Sequence, residues 1–104
     1  MKRYTIKIAP EAMLDIQDIT DWYNLQKSGL GKRFQNSVIK NINSLKKNPY
    51  IFAIRYNEIR CVPVKGFPYL IHYHLNEGDS KVEVMAVIST DRDTKIWEEK
   101  TNKG

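Results

Sequence analysis

The sequence predicts an α+β domain of order β-α-α-β-β-β, with a helical hairpin packed on a curved, largely antiparallel sheet. Three observations predict it. Two apolar stripes at helical spacing lie in the first half, separated by Gly29 and Gly31. Strand-like runs then follow from Ile59, the clearest being 67–75 and 82–88. The whole is 104 residues, the length of one domain (1–104, with an ordered core at about 3–97), and at 41% hydrophobic with 11% aromatics it is globular.

The elements follow in order. Tyr4-Thr5-Ile6-Lys7-Ile8 alternates as a strand with one buried face. Pro10 opens a helix, where its fixed φ and missing N–H cost nothing, and Glu11 complements the dipole. Ala9 is a poor cap. Ala12, Ile16, Ile19 and Tyr23 form one apolar stripe, and Asp15, Asp18 and Asp21 are assigned to the other faces. A link through Gly29 and Gly31 leads to a second helix with Phe34, Val38, Ile42 and Leu45 inward. Lys46 and Lys47 are placed in its last turn, and Asn48-Pro49 ends it.

Residues 50–58 read as a loop or short edge strand. Ile59 to Val64 is a strand, turned at Lys65-Gly66 into Phe67 to Leu75. There Phe67, Tyr69, Ile71, Tyr73 and Leu75 face one way, and Pro68, Leu70, His72 and His74 the other. Residues 76–80 make a hairpin turn. In the last strand Val82, Val84, Ala86 and Ile88 are expected to share a face. From Thr94 the tail is a short helix or frays.

Net charge is +5, but its distribution says more. The segment 22–76 carries nine basic residues against one acid, Glu58, a formal +8. That excess suits an anionic partner, either nucleic acid or an acidic protein segment, or else serves only as a solvated face. The single cysteine, Cys61, excludes an internal disulfide and reads as a buried inert thiol. No leader-like start or membrane-length apolar run is present, so the expected compartment is the cytoplasm, with no membrane partner.

Few residues promise chemistry. His72 and His74 share a strand face, but no third metal ligand is placed beside them, so no metal or other cofactor is expected. As titratable groups they are weak candidates for acid–base work, with a half-exposed structural or anion-contacting role as the alternative. Arg92 is placed for a salt bridge to Asp91, Asp93 or the first helix. Trp97 is a packing residue or a stacking platform.

The order of these segments resembles the RelE/ParE superfamily of small toxins. Phe67-Pro68-Tyr69 followed by Tyr73 resembles its ParE-like branch. Asp91-Arg92-Asp93 with Trp97 after it resembles the arginine-bearing strand end found across the superfamily, where in RNA-cleaving members the arginine helps hold the scissile phosphate. Departures accompany these matches. Leu70 stands near where RNA-cleaving relatives carry an arginine, Cys61-Val62-Pro63 where they carry lysines, and Ser89-Thr90 where another branch carries a histidine.

The resemblance implies the toxin of a type II toxin–antitoxin, plasmid-stabilisation-like module. It would inhibit an essential process such as DNA gyrase action and be neutralised by a small antitoxin. The alternatives are a ribosome-dependent mRNA endoribonuclease of the same fold and an inactive basic nucleic-acid-binding module. The expected target or antitoxin contact set is Arg60, Lys65, Tyr69, Tyr73, Arg92 and Trp97, acting as one composite site; the weak catalytic candidates remain His72, His74 and Arg92. The assembly implied is a homodimer or a toxin–antitoxin heterotetramer.

Overall fold

The helical hairpin is closed by an approach that only glycine allows. In the computed structural model, which describes residues 3–92 and 94–101, α1 (Pro10–Gln26) and α2 (Leu30–Ser44) meet at Gly31. A Cβ there would lie 2.5 Å from the Thr20 carbonyl oxygen and 2.6 Å from Asn24. The Gly31 N–H instead donates to Asn24 Oδ1 at 2.9 Å. Gly29, at φ 87°, supplies the left-handed turn between the helices. Pro10 stands in the first turn of α1 as expected, and Ala9 makes no side-chain cap. Its N–H is satisfied by the Val84 carbonyl at 2.9 Å, so the sheet helps start the helix.

The strands are β1 (Thr5–Ile8), β2 (Ile54–Tyr56), β3 (Ile59–Pro63), β4 (Tyr69–Asn76) and β5 (Lys81–Ser89). They form one sheet of order β1-β5-β4-β3-β2. β1 runs parallel to β5 and the other pairs are antiparallel. The residues left between loop and edge strand thus include a three-residue edge strand, and the end of the chain forms α3 (Thr94–Thr101).

Each face of the sheet has its own core. The hairpin face collects Ala12, Tyr23, Phe34, Val38, Ile42 and Leu45 against Val62, Ile71, Tyr73, Val82 and Val84, with Ile6, Ile16 and Ile19 packed on it. This is the expected seam. The opposite face buries Cys61, Leu70, Ala86, Ile88 and Trp97 beneath α3, with Tyr56 at the side.

The expected alternation along β5 is broken by a bulge. Tyr73 pairs with Val84 and His72 with Ala86, so Met85 has no partner. Beyond it the faces exchange. Val82, Val84 and Val87 line the hairpin core, while Ala86 and Ile88 line the smaller one. A uniform period of two cannot register one extra residue.

Two further expectations are corrected. α2 ends at Ser44, so Lys46 and Lys47 lie beyond its last turn. There the Lys46 carbonyl accepts the Tyr4 N–H at 3.0 Å, anchoring the chain start. Asp15 is not a solvated residue of α1. Its carboxylate takes the Val87 N–H at 3.0 Å and Lys100 Nζ at 2.6 Å, joining α1, β5 and α3.

Candidate functional site

β4 places His72 on the face covered by α3, and the covering is complete. His72 is fully buried. Its Nδ1 lies 2.8 Å from the Tyr56 hydroxyl and 3.4 Å from Cys61 Sγ. Trp97 packs edge-on against the ring, with centroids 5.0 Å apart. Burial lowers the imidazole to about 4, and the Arg55 charge pushes the same way. A half-exposed histidine is thus corrected to a neutral one inside a packed cluster. Burial also pushes the Cys61 thiol up to about 11, which fits an inert thiol. His74 shares that sheet face but sits at its margin, 3.0 Å from Glu83 Oε1. Among the described residues no cluster of three or more His, Cys, Asp or Glu could hold a metal.

Tyr73 and Trp97 are buried, which takes both off the expected contact surface. Tyr73 points into the hairpin core and donates to the Pro49 carbonyl at 2.7 Å. Trp97 is the apolar anchor of α3, with Arg55 stacked 5.4 Å from its ring centroid. Large aromatics on a short sheet are consumed by its two cores before they reach a partner.

Tyr69 and Arg92 do converge. They line a cleft of about 330 Å³ between α1, β5 and α3, with Asp15, Asp18, Ser89 and Lys100 among its polar groups. Its apolar walls are Ile19, Val87, Ile88 and Ile96. Burial raises the Tyr69 phenol, Asp91 adds to the rise and Arg92 opposes it. Arg92 is exposed, its N–H bonded to the Ser89 carbonyl at 3.2 Å, and the Ser89 hydroxyl donates to Asp91. Asp93 lies outside the described residues.

Arg60 and Lys65 are not part of that cleft. Arg60 donates to the Phe52 carbonyl at 2.7 Å and stacks on Tyr50 with 5.1 Å to its centroid. Lys65 is held against α2, its N–H on Asn41 Oδ1 at 3.1 Å and its carbonyl accepting the Ser37 hydroxyl at 2.7 Å. The expected single composite site therefore divides into separate patches.

Residues 6–94 match the family model described as the ParE toxin of the type II toxin–antitoxin system parDE. The chain belongs to the ParE toxin family. No curated protein sequence matches it. Solved structures agree on the fold of this ParE-family toxin. A chromosomal ParDE toxin–antitoxin system from P. aeruginosa superposes with a TM-score of 0.75 at 12% identity, over 86% of this chain and 98% of that one. A free double-arginine mutant of the E. coli toxin RelE gives 0.71 at 13%, over 96% and 95%. The toxin–antitoxin complex RelBE2 of Mycobacterium tuberculosis gives 0.65 at 18%, over 88% and 97%.

Sequence reasoning missed Asp15, Ile96 and Lys100 as members of the cleft of this ParE-family chain. One signal for Asp15 existed. At 100° per residue it stands about 40° round the helix from Ile19, on the border of the apolar stripe. Nothing comparable marked Lys100, because the ion pair joins residues 85 apart in sequence.

Proposed function

We propose that this ParE-family toxin stops growth by binding and poisoning an essential enzyme, DNA gyrase, rather than by cleaving RNA, and that a small antitoxin neutralises it. The observation that supports the reading is the closure of the sheet face beneath α3. His72 is enclosed and held neutral, and Trp97 is packed over it. RNA cleavage needs a proton shuttle and charge stabilisation open to the phosphate. His74 is engaged by Glu83, and Leu70 and Cys61 are apolar groups inside the smaller core. The Tyr69–Arg92 cleft offers a place for a partner to insert a side chain, and Arg60 and Lys65 add charge that speeds encounter. An antitoxin partner is supported by the neighbours that are themselves toxin–antitoxin systems.

The experiment pairs two assays on the purified chain with a growth test in cells. Gyrase supercoiling is expected to fall, with trapped DNA breaks, and co-expression with a cognate antitoxin should restore growth. Translating ribosomes should show no codon-spaced cuts. One observation favours the second reading, a ribosome-dependent endoribonuclease: Tyr69, Ser89 and Arg92 share one cleft. Cuts abolished by Arg92→Ala, with gyrase unaffected, would establish that reading instead.

A further inference from the structure

We propose that the outward face of α1 is a docking surface for a cationic amphipathic helix of another protein. The core-facing stripe of α1 is accounted for by the hairpin seam. On the opposite side Leu14 is 61% exposed, Trp22 53% and Leu25 84%. At 100° per residue Leu14, Asp18, Trp22 and Leu25 fall within about 80° of one another. With a rise of 1.5 Å per residue the stripe is about 16 Å long, three helical turns. Single exposed apolar residues are ordinary, but three aligned ones that include a tryptophan form a surface of the kind partners use.

The charge around the stripe selects the partner. α1 carries Glu11, Asp15, Asp18 and Asp21 and no Lys or Arg, within a chain of net +5. Asp15 is spent on Val87 and Lys100. Asp18 and Asp21 are exposed beside the stripe, Asp21 with a hydrogen bond from Gln17. Nucleic acid and anionic lipid are repelled by those carboxylates. A second copy laid antiparallel on the same face brings its own Asp18 and Asp21 to the seam, where four like charges meet. A helix with leucine-like residues on one side and Lys or Arg flanking them satisfies both features. This surface does not depend on which process the toxin stops.

The test uses a labelled synthetic Leu/Lys amphipathic helix of about 18 residues, long enough to hold its conformation. Its controls are a scramble of the same composition and a version with Glu for Lys. Fluorescence anisotropy with the full chain is expected to show the amphipathic helix binding about tenfold tighter than the scramble, a difference of one good apolar anchor. Asp18 also borders the Tyr69–Arg92 cleft, so the variants are Asp21→Lys and Leu25→Ser. Each should weaken binding several-fold and the pair about tenfold, with thermal melts unchanged because both side chains are exposed. Equal binding of the scramble, unchanged binding by the double variant, or tighter binding of the Glu version overturns the proposal. So does self-association in sedimentation that Leu25→Ser abolishes, which assigns the face to a second copy.

Discussion

Asp15 and Val87 are 72 residues apart in sequence, yet the carboxylate of one closes the backbone of the other. β1 stops pairing at Ile8, opposite Val84, and beyond that point no strand of the described residues lies along the outer edge of β5. α1 crosses there, and Asp15 Oδ2 accepts the Val87 N–H at 3.0 Å. Oδ1 takes Lys100 Nζ at 2.6 Å, so the same carboxylate pins α3. The bulge at Met85 is what turns Val87 into the hairpin core next to this bond.

Asp15→Ala should therefore destabilise the fold by about 2–4 kcal/mol, since a charged acceptor is lost and a part-buried N–H is stranded. Asp15→Asn keeps an acceptor for Val87 and should cost about half as much. Lys100→Ala removes only a partly exposed ion pair and should cost about 1 kcal/mol. Urea unfolding of the three variants checks the order. Equal losses for Asp15→Ala and Lys100→Ala would mean that the ion pair, not the strand cap, is what matters.

The hairpin seam makes a second prediction. Phe34 is fully enclosed and packs edge-on against Phe67 and Tyr69, with centroids 5.3 and 5.6 Å away. Phe34→Ala should cost about 3–5 kcal/mol and Ile42→Ala about 2–5 kcal/mol, through transfer and cavity terms together. Melts that match the parent would show that the helix faces are misassigned.

What the sequence made legible was local. The stripes of α1 and α2, the Gly29–Gly31 link and the two faces of β4 all follow from periodicities over a few turns or pleats. The bulge at Met85 was not legible, because Met85 fits either face of an apolar strand and only the pairing with β4 exposes the extra residue. The site was less readable still. His72, Tyr73 and Trp97 are residue types that serve either a surface or a core; the burial of His72 and Trp97 depends on α3 folding back over the sheet, and that of Tyr73 on the helical hairpin. Arg92 and Tyr69, expected as partner contacts, do line one cleft, but Asp15 and Lys100 complete it by a contact that no local pattern encodes.

Gly31 gives a third prediction, because its constraint is space and not φ. A Cβ would meet the Thr20 carbonyl oxygen at 2.5 Å, and backbone cannot rotate away as a side-chain end can. Gly31→Ala should force the helices apart and cost about 1–3 kcal/mol, despite alanine being the better helix former. Gly29→Ala has open space but a left-handed backbone, so it should cost less, about 1 kcal/mol. Denaturant midpoints of the two variants test the contrast, and a stabilised Gly31→Ala would refute the close crossing.

The last prediction concerns acid. In the folded chain His72 is held neutral, its imidazole lowered to about 4 first by burial and then by the Arg55 charge. In the unfolded chain it takes up a proton below about pH 6.5. Between those values the unfolded state binds more protons than the folded state, so stability must fall as pH falls. The loss begins near pH 6.5, grows down to about 4 and then levels off, with a full size of order 3 kcal/mol. It has a structural correlate, since a charged imidazole under Trp97 faces the Cys61 thiol and the Tyr56 hydroxyl, and among the described residues no carboxylate is hydrogen-bonded to it. His72→Gln removes the titration while keeping a polar group. That variant should be less stable at pH 7, yet lose less than the parent between pH 7 and 4.5. Carboxylates elsewhere titrate in both proteins, so the difference between the two pH slopes isolates His72. Parallel slopes in urea unfolding would show that His72 does not govern the acid sensitivity of the fold.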